Sequence, residues 1–135
     1  MILDSVNGSL RGTPSGSQRF GSNYTVTASN PVSSTSYTIN IAIVGAPSNL
    51  SYADDLPTYA VGTAINPPNT PTIQGIVTFY TVSPSLPAGV VLDATTGYIL
   101  GTPTAVSPAT DYTITGFNPG GAAATTINLT VITVP

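Results

Sequence analysis

The chain has 135 residues, room for one full domain or one domain plus a fragment but not for a two-domain enzyme. Only Arg11, Arg19, Asp4, Asp54, Asp55, Asp93 and Asp111 are charged, 5% of residues where an ordinary domain carries about 25%, and Lys, Glu, His, Cys and Trp are missing. Thiolate, Schiff-base and imidazole chemistry are thereby excluded, and two guanidiniums against five carboxylates cannot neutralise a run of phosphates, so no nucleic-acid partner is expected.

Read from its start, Met1-Ile2-Leu3-Asp4 is not a charged leader followed by an apolar run, so any export signal is expected to lie outside this piece. No apolar stretch reaches the roughly 18 residues that span a bilayer, and no membrane insertion is expected. With 41% apolar residues and abundant Val, Ile, Thr and Tyr, the chain reads as folded and not as disordered.

The opening residues return later. Leu3 to Pro14 (LDSVNGSLRGTP) aligns without gaps on Leu92 to Pro103 (LDATTGYILGTP), Tyr24 to Pro31 on Tyr112 to Pro119, and Thr38 to Ile41 on Thr126 to Leu129. Residues 48–89 have no counterpart. Residues 1–47 therefore read as the C-terminal half of one repeat and 48–135 as a complete repeat, with a short linker at Gly45-Ala46-Pro47-Ser48. A 47-residue piece without disulfide or metal lies near the limit of about 40 residues below which a domain needs a staple. It is expected to be partly ordered, docked on the complete repeat, or completed by another chain through its strand edges, which makes self-association a candidate behaviour. Capture of 48–89 by the half repeat is not expected, because the four-residue linker reaches about 13 Å where roughly 20 Å must be crossed.

Within 48–135, alternation of apolar and polar residues, as in Tyr112-Thr113-Ile114-Thr115, predicts strands near 49–53, 57–62, 76–83, 89–93, 97–101, 111–117 and 122–132. The 13 Gly and 13 Pro break the chain too often for long helices. Seven short strands predict an all-β, immunoglobulin-like sandwich preceded by half of another repeat. Leu86-Pro87-Ala88-Gly89 reads as a turn that delivers Val90 and Leu92 to one face. In Asp93-Ala94-Thr95-Thr96-Gly97 the Asp side chain can accept backbone N–H bonds, placing Ile99 on the face of Leu92. Gly101-Thr102-Pro103 ends the following strand, since Pro103 cannot donate to a ladder. Arg11 stands where the second copy has Leu100, so Leu100 and Val91 are candidate exposed positions for packing of a neighbouring repeat. Tyr112, with Tyr24 as its copy, is either a corner tyrosine bonded back to the preceding loop or an ordinary core aromatic.

Tyr80 to Asp93 (YTVSPSLPAGVVLD), Thr96 to Thr104 (TGYILGTPT), Asp111 to Thr115 and Asn118 together resemble the bacterial putative Ig domain family, the He_PIG type, allied to cadherin-like dystroglycan-type domains. The resemblance covers 48–135 fully and 1–47 as a truncated copy. It implies a tandem repeat of a large exported bacterial protein, extracellular or at the cell surface, acting as structural spacer and adhesion scaffold. Neighbouring repeats, and host extracellular protein or glycan, are the partners it implies; an autonomous adhesin or glycan-binding module is the alternative.

The same resemblance raises calcium, which cadherin-like domains bind between repeats, with Asp54, Asp55 and Asp93 as candidate ligands. The region Asn66-Pro67-Pro68-Asn69-Thr70 lacks the acidic run of calcium-binding relatives, and the expectation is structural turns with no cofactor. No catalytic residue is expected: Asp54 and Asp55, adjacent on an extended chain, would point to opposite faces. A Lys-Asn isopeptide is impossible without Lys. Tyr37, Tyr52, Tyr59 and Phe117 are the aromatics from which a glycan platform could be built.

Overall fold

A computed structural model describes residues 1–16 and 18–134, with the backbone alone for 18–20. Every regular element among these residues is a strand: β1 (Ile2–Leu3), β2 (Leu10–Arg11), β3 (Gln18–Ser29), β4 (Ser34–Ile43), β5 (Ser48–Tyr52), β6 (Thr58–Ala60), β7 (Pro71–Gln74), β8 (Phe79–Ser83), β9 (Val90–Leu92), β10 (Ile99–Gly101), β11 (Ser107–Asn118) and β12 (Gly121–Ile132). The chain forms two compact units, Met1–Gly45 and Ala46–Pro135.

The second unit is a two-layer sandwich. One layer has the order β6-β12-β11-β8. The other is built from the pairs β5-β7 and β10-β9, joined by a bridge between Asn69 and Ile99, whose N–H groups donate to each other's carbonyls at 3.0 and 2.9 Å. The first strand of the sandwich changes layers. β5 pairs antiparallel with β7, then the chain crosses through Ala53–Pro57 and β6 pairs parallel with β12. The layers face each other through residues spaced two apart: Leu50 and Tyr52 on β5, Tyr112 and Ile114 on β11, and Ile127, Leu129 and Val131 on β12, with Ile65, Tyr80, Val90 and Ile99 completing the core. Burying each large aliphatic side chain there is worth about 1.5–3 kcal/mol. The buried amides of Asn69 and Asn118 are fully partnered, as burial of polar groups requires.

The first unit repeats half of this architecture in the same register. Leu3 faces Leu10 and Ile2 faces Arg11, as Leu92 faces Ile99 and Val91 faces Leu100. Tyr24 faces Ile39 and Thr25 faces Thr38, as Tyr112 faces Ile127 and Thr113 faces Thr126. None of its described side chains is buried.

Seven predicted strands of the complete repeat are present with trimmed or extended ends. Residues 76–78 lie outside β8 and 107–110 inside β11. An eighth strand, β7, lies in a stretch where the alternation predicts none. Its first residue, Pro71, pairs with Tyr52 at the strand start, where a missing N–H is tolerated.

Candidate functional site

The signature segments meet at one end of the β9-β10 hairpin. Pro87 and Val90 close the first turn through Val90 N–H to the Pro87 carbonyl at 3.0 Å, and Thr104 N–H donates to the Ala88 carbonyl at 2.9 Å. Gly89, at φ +84, presses so closely on the chain after β10 that a Cβ there would overlap the Thr102 carbonyl oxygen. Pro103 is fully buried, and its carbonyl accepts from Gly62 N–H. Leu86 and Leu92 are half-buried against the core. The residues Leu86, Pro87, Gly89, Leu92, Gly101, Thr102 and Pro103 thus form a packing device with no reactive group.

Asp93 caps the other end. Its carboxylate accepts the N–H groups of Thr95 and Thr96 at 2.8 and 3.1 Å, while Gly97 N–H returns to its carbonyl at 2.8 Å. Those two backbone donors, Thr96 first, hold the Asp93 carboxyl below the ordinary aspartate value. Gly97 adopts φ +74 under the ring of Tyr80, and its carbonyl accepts the Tyr52 hydroxyl at 2.5 Å. Burial, with Tyr80 close by, pushes the Tyr52 hydroxyl well above the ordinary tyrosine range. The tyrosine that ties a distant loop is therefore Tyr52, 45 residues from its acceptor; Tyr112 packs in the core between the layers.

Asp54 and Asp55 lie in the crossover between β5 and β6, not on a strand. Asp54 is clasped by Asn69, which donates to its carbonyl at 2.8 Å and accepts its N–H at 3.0 Å, and its own carboxylate accepts Leu56 N–H at 3.0 Å. The Asp55 carbonyl accepts Asn128 N–H at 2.9 Å. Among the described residues no three Asp side chains gather where a metal ion could be held. The Asp54 and Asp93 carboxylates act in chain reversals, and the calcium set Asp54, Asp55 and Asp93 has no shared centre.

The four aromatics weighed for a glycan platform are not equivalent. Tyr52 is in the core, Tyr59 is half-buried, with burial raising its hydroxyl pKa against the opposing bond to Asn69, and Tyr37 belongs to the first unit. Phe117 is half-buried and stacks on Phe79 at 4.9 Å between ring centres. Sequence reasoning missed Phe79, whose signal was its place opposite Phe117 on the neighbouring strand. Val91 is 51% exposed and Leu100, its cross-strand partner, is half-buried on the outer surface of the hairpin.

A family model described as putative Ig domain matches residues 43–133, well over half of the chain. The chain belongs to the putative Ig domain family. Its Ig-like repeat is thus the second unit, an all-β sandwich that contains the Gly89–Thr102 contact and the Asp93 cap. No curated protein matches the chain.

The first unit, which the family match barely enters, carries an open apolar cleft of about 450 Å³, lined by Met1, Leu3, Leu10, Tyr24, Ile39 and Ile41 among others. These are the counterparts of Val90, Leu92, Ile99, Tyr112, Ile127 and Leu129 of the Ig-like repeat. Tyr24 is 46% exposed where Tyr112 is 3%.

Proposed function

We propose that this protein is a non-catalytic spacer from a larger bacterial surface protein, working outside the cell as one link in a row of Ig-like repeats and as a scaffold for adhesion. The observation that carries this reading is the parallel pairing of β12, at the C-terminal end of the closed repeat, with β6, which follows the crossover from β5 at its N-terminal end. Tension applied to those ends runs along both strands and loads their hydrogen bonds together in shear. These are Asn128 N–H to the Asp55 carbonyl, Thr130 N–H to Pro57 and Val61 N–H to Ile132, at 2.9, 3.1 and 2.9 Å. Resistance to pulling is a rate property, governed by the barrier to unfolding. The second copy of the repeat's C-terminal half in the same chain supports a serial arrangement, and the near absence of charge keeps its surface from steering charged ligands.

Pulling the chain by its two ends tests this. The expected trace has one abrupt step of about 30 nm, the contour length of the second unit, at a force that falls when Val61→Pro removes one sheared bond. Gradual extension without a step would overturn the spacer reading. Saturable binding of the chain to a glycan array or to extracellular-matrix proteins would replace it with the autonomous adhesin.

A further inference from the structure

The open apolar face of the first unit has a filled twin in the same chain. In the Ig-like repeat the counterpart cleft is closed by residues 48–89, which contribute Leu50, Tyr52, Ile65 and Tyr80 to the core. The same segment covers both open flanks of the long hairpin. β8 pairs with β11 over Thr113–Phe117, and β6 pairs with β12 over Thr130–Ile132. The corresponding stretches of the first unit are 25–29 on β3 and 42–44 at the end of β4, and among the described residues β3 and β4 pair only with each other. Asn118 makes the same point through one side chain. Its Oδ1 caps the hairpin turn and its Nδ2 donates to the Ile76 carbonyl at 2.8 Å; Asn30 caps its own turn identically, but the counterpart of Ile76 is not part of the first unit.

We propose that the cleft of residues 1–45 is an acceptor for one occupant, an extended upstream segment patterned like residues 48–89, carrying a smaller side chain where that segment has Tyr80. The size requirement comes from Gly116 and Ala28. A Cβ at Gly116 would stand 3.2 Å from the Tyr80 ring and 3.3 Å from Ile73 and Val77, tighter than side chains normally pack. Ala28 occupies that position in the first unit and already carries the extra methyl. The ring's other glycine neighbour is Gly97, whose counterpart Gly8 has nothing within 4 Å of an added Cβ, so the space is open there and narrowed at Ala28. Residues 48–89 of a second molecule are therefore a strained fit, which favours a dedicated upstream segment over mutual exchange between copies. The inference concerns what closes the first unit and does not depend on the spacer role.

The test joins a second copy of residues 48–89 ahead of Met1 in the full chain, so that Met1 takes the place of Val90, and follows amide exchange at 22–28 and 37–43. The expected result is exchange slowed about 100-fold there, more with Tyr80→Leu in the added copy than with Tyr80 retained, and no slowing when the added copy carries Leu50→Asp and Tyr52→Asp. No slowing with either folded version overturns the proposal, and a greater effect with Tyr80 retained overturns its size requirement. Slow exchange at 22–28 in the unextended chain, accompanied by a doubled mass, would make a second copy the occupant instead. A measurement within the existing repeat needs no added segment: Gly116→Ala should lower its melting midpoint, and its cost should shrink in a Tyr80→Leu background. Additive costs would also overturn the size requirement.

Discussion

Residues 1–45 and 90–135 make the same hairpins with the same partners, yet one has a closed core and the other has none. Asp4 accepts Val6 and Asn7 N–H groups at 2.8 and 3.3 Å where Asp93 accepts Thr95 and Thr96, and Asn40 donates to Asn23 at 2.8 Å where Asn128 donates to Asp111 at 2.8 Å. Turn chemistry and cross-strand register are therefore local properties, reproduced whether or not a second layer covers them. Burial is not local. It follows residues 48–89, and the repeat shows what those residues add: a second sheet, two further neighbours for the long hairpin, and a lid over every inward-facing side chain.

Substitutions at matched positions sharpen this contrast. Ile127→Ala should cost about 2–5 kcal/mol in urea unfolding, since Ile127 is 1% exposed and the cavity cannot collapse, whereas Ile39→Ala, in the open cleft, should cost under about 1 kcal/mol. Equal costs would mean that the cleft is closed in solution. Gly97→Ala and Gly8→Ala start from nearly the same backbone, φ +74 and +75, and share a strain of about 1–2 kcal/mol. Only the first places a methyl 2.8 Å from Tyr80 and 2.9 Å from Pro71, so its melting midpoint should drop further, by the equivalent of about 1–3 kcal/mol.

Two smaller pH effects are expected in the second unit. Burial raises the hydroxyls of Tyr52, Tyr59 and Tyr80, so the unfolded chain loses these protons first, at about pH 10. The stability they contribute is complete below that pH and declines as pH rises above it; a midpoint in urea unchanged between pH 9 and 11 would contradict their burial. Asp93 has the opposite sign. Its lowered carboxyl contributes stability that is present above the unfolded value near pH 4 and is lost as pH falls toward the folded value. Asp93→Asn should flatten the thermal midpoint of the second unit between pH 4 and 3, by lowering it at neutral pH toward its acid value.

Much of the fold is legible in the residues alone because its signals are short-range. The Asp93 and Asn118 caps each span four residues, and period-two alternation in Tyr112–Thr115 already names the buried side of β11. Three features resist such reading. β7 has only four residues and begins at a proline in a proline-rich run, so neither alternation nor composition separates it from loop. The tyrosine Tyr52 that anchors Gly97 cannot be told from Tyr112 without knowing which chain segment lies opposite. Asp54 and Asp55 look like a ligand pair in sequence, but the crossover from β5 to β6 spends their backbone groups on Asn69 and Asn128.

By itself the sequence determined the repeat, the all-β class, the hairpin registers and the caps that close their turns, since each depends on residues a few positions apart or on period-two alternation. Tertiary structure decided which of two matched apolar faces is a core and which is a cleft, where the first strand changes layers, and how closely Gly116 sits beside Tyr80. The physical reason is that burial is a relation between surfaces: Tyr24 and Tyr112 hold the same place in the same hairpin, and only the presence of a second sheet over one of them separates 46% exposure from 3%.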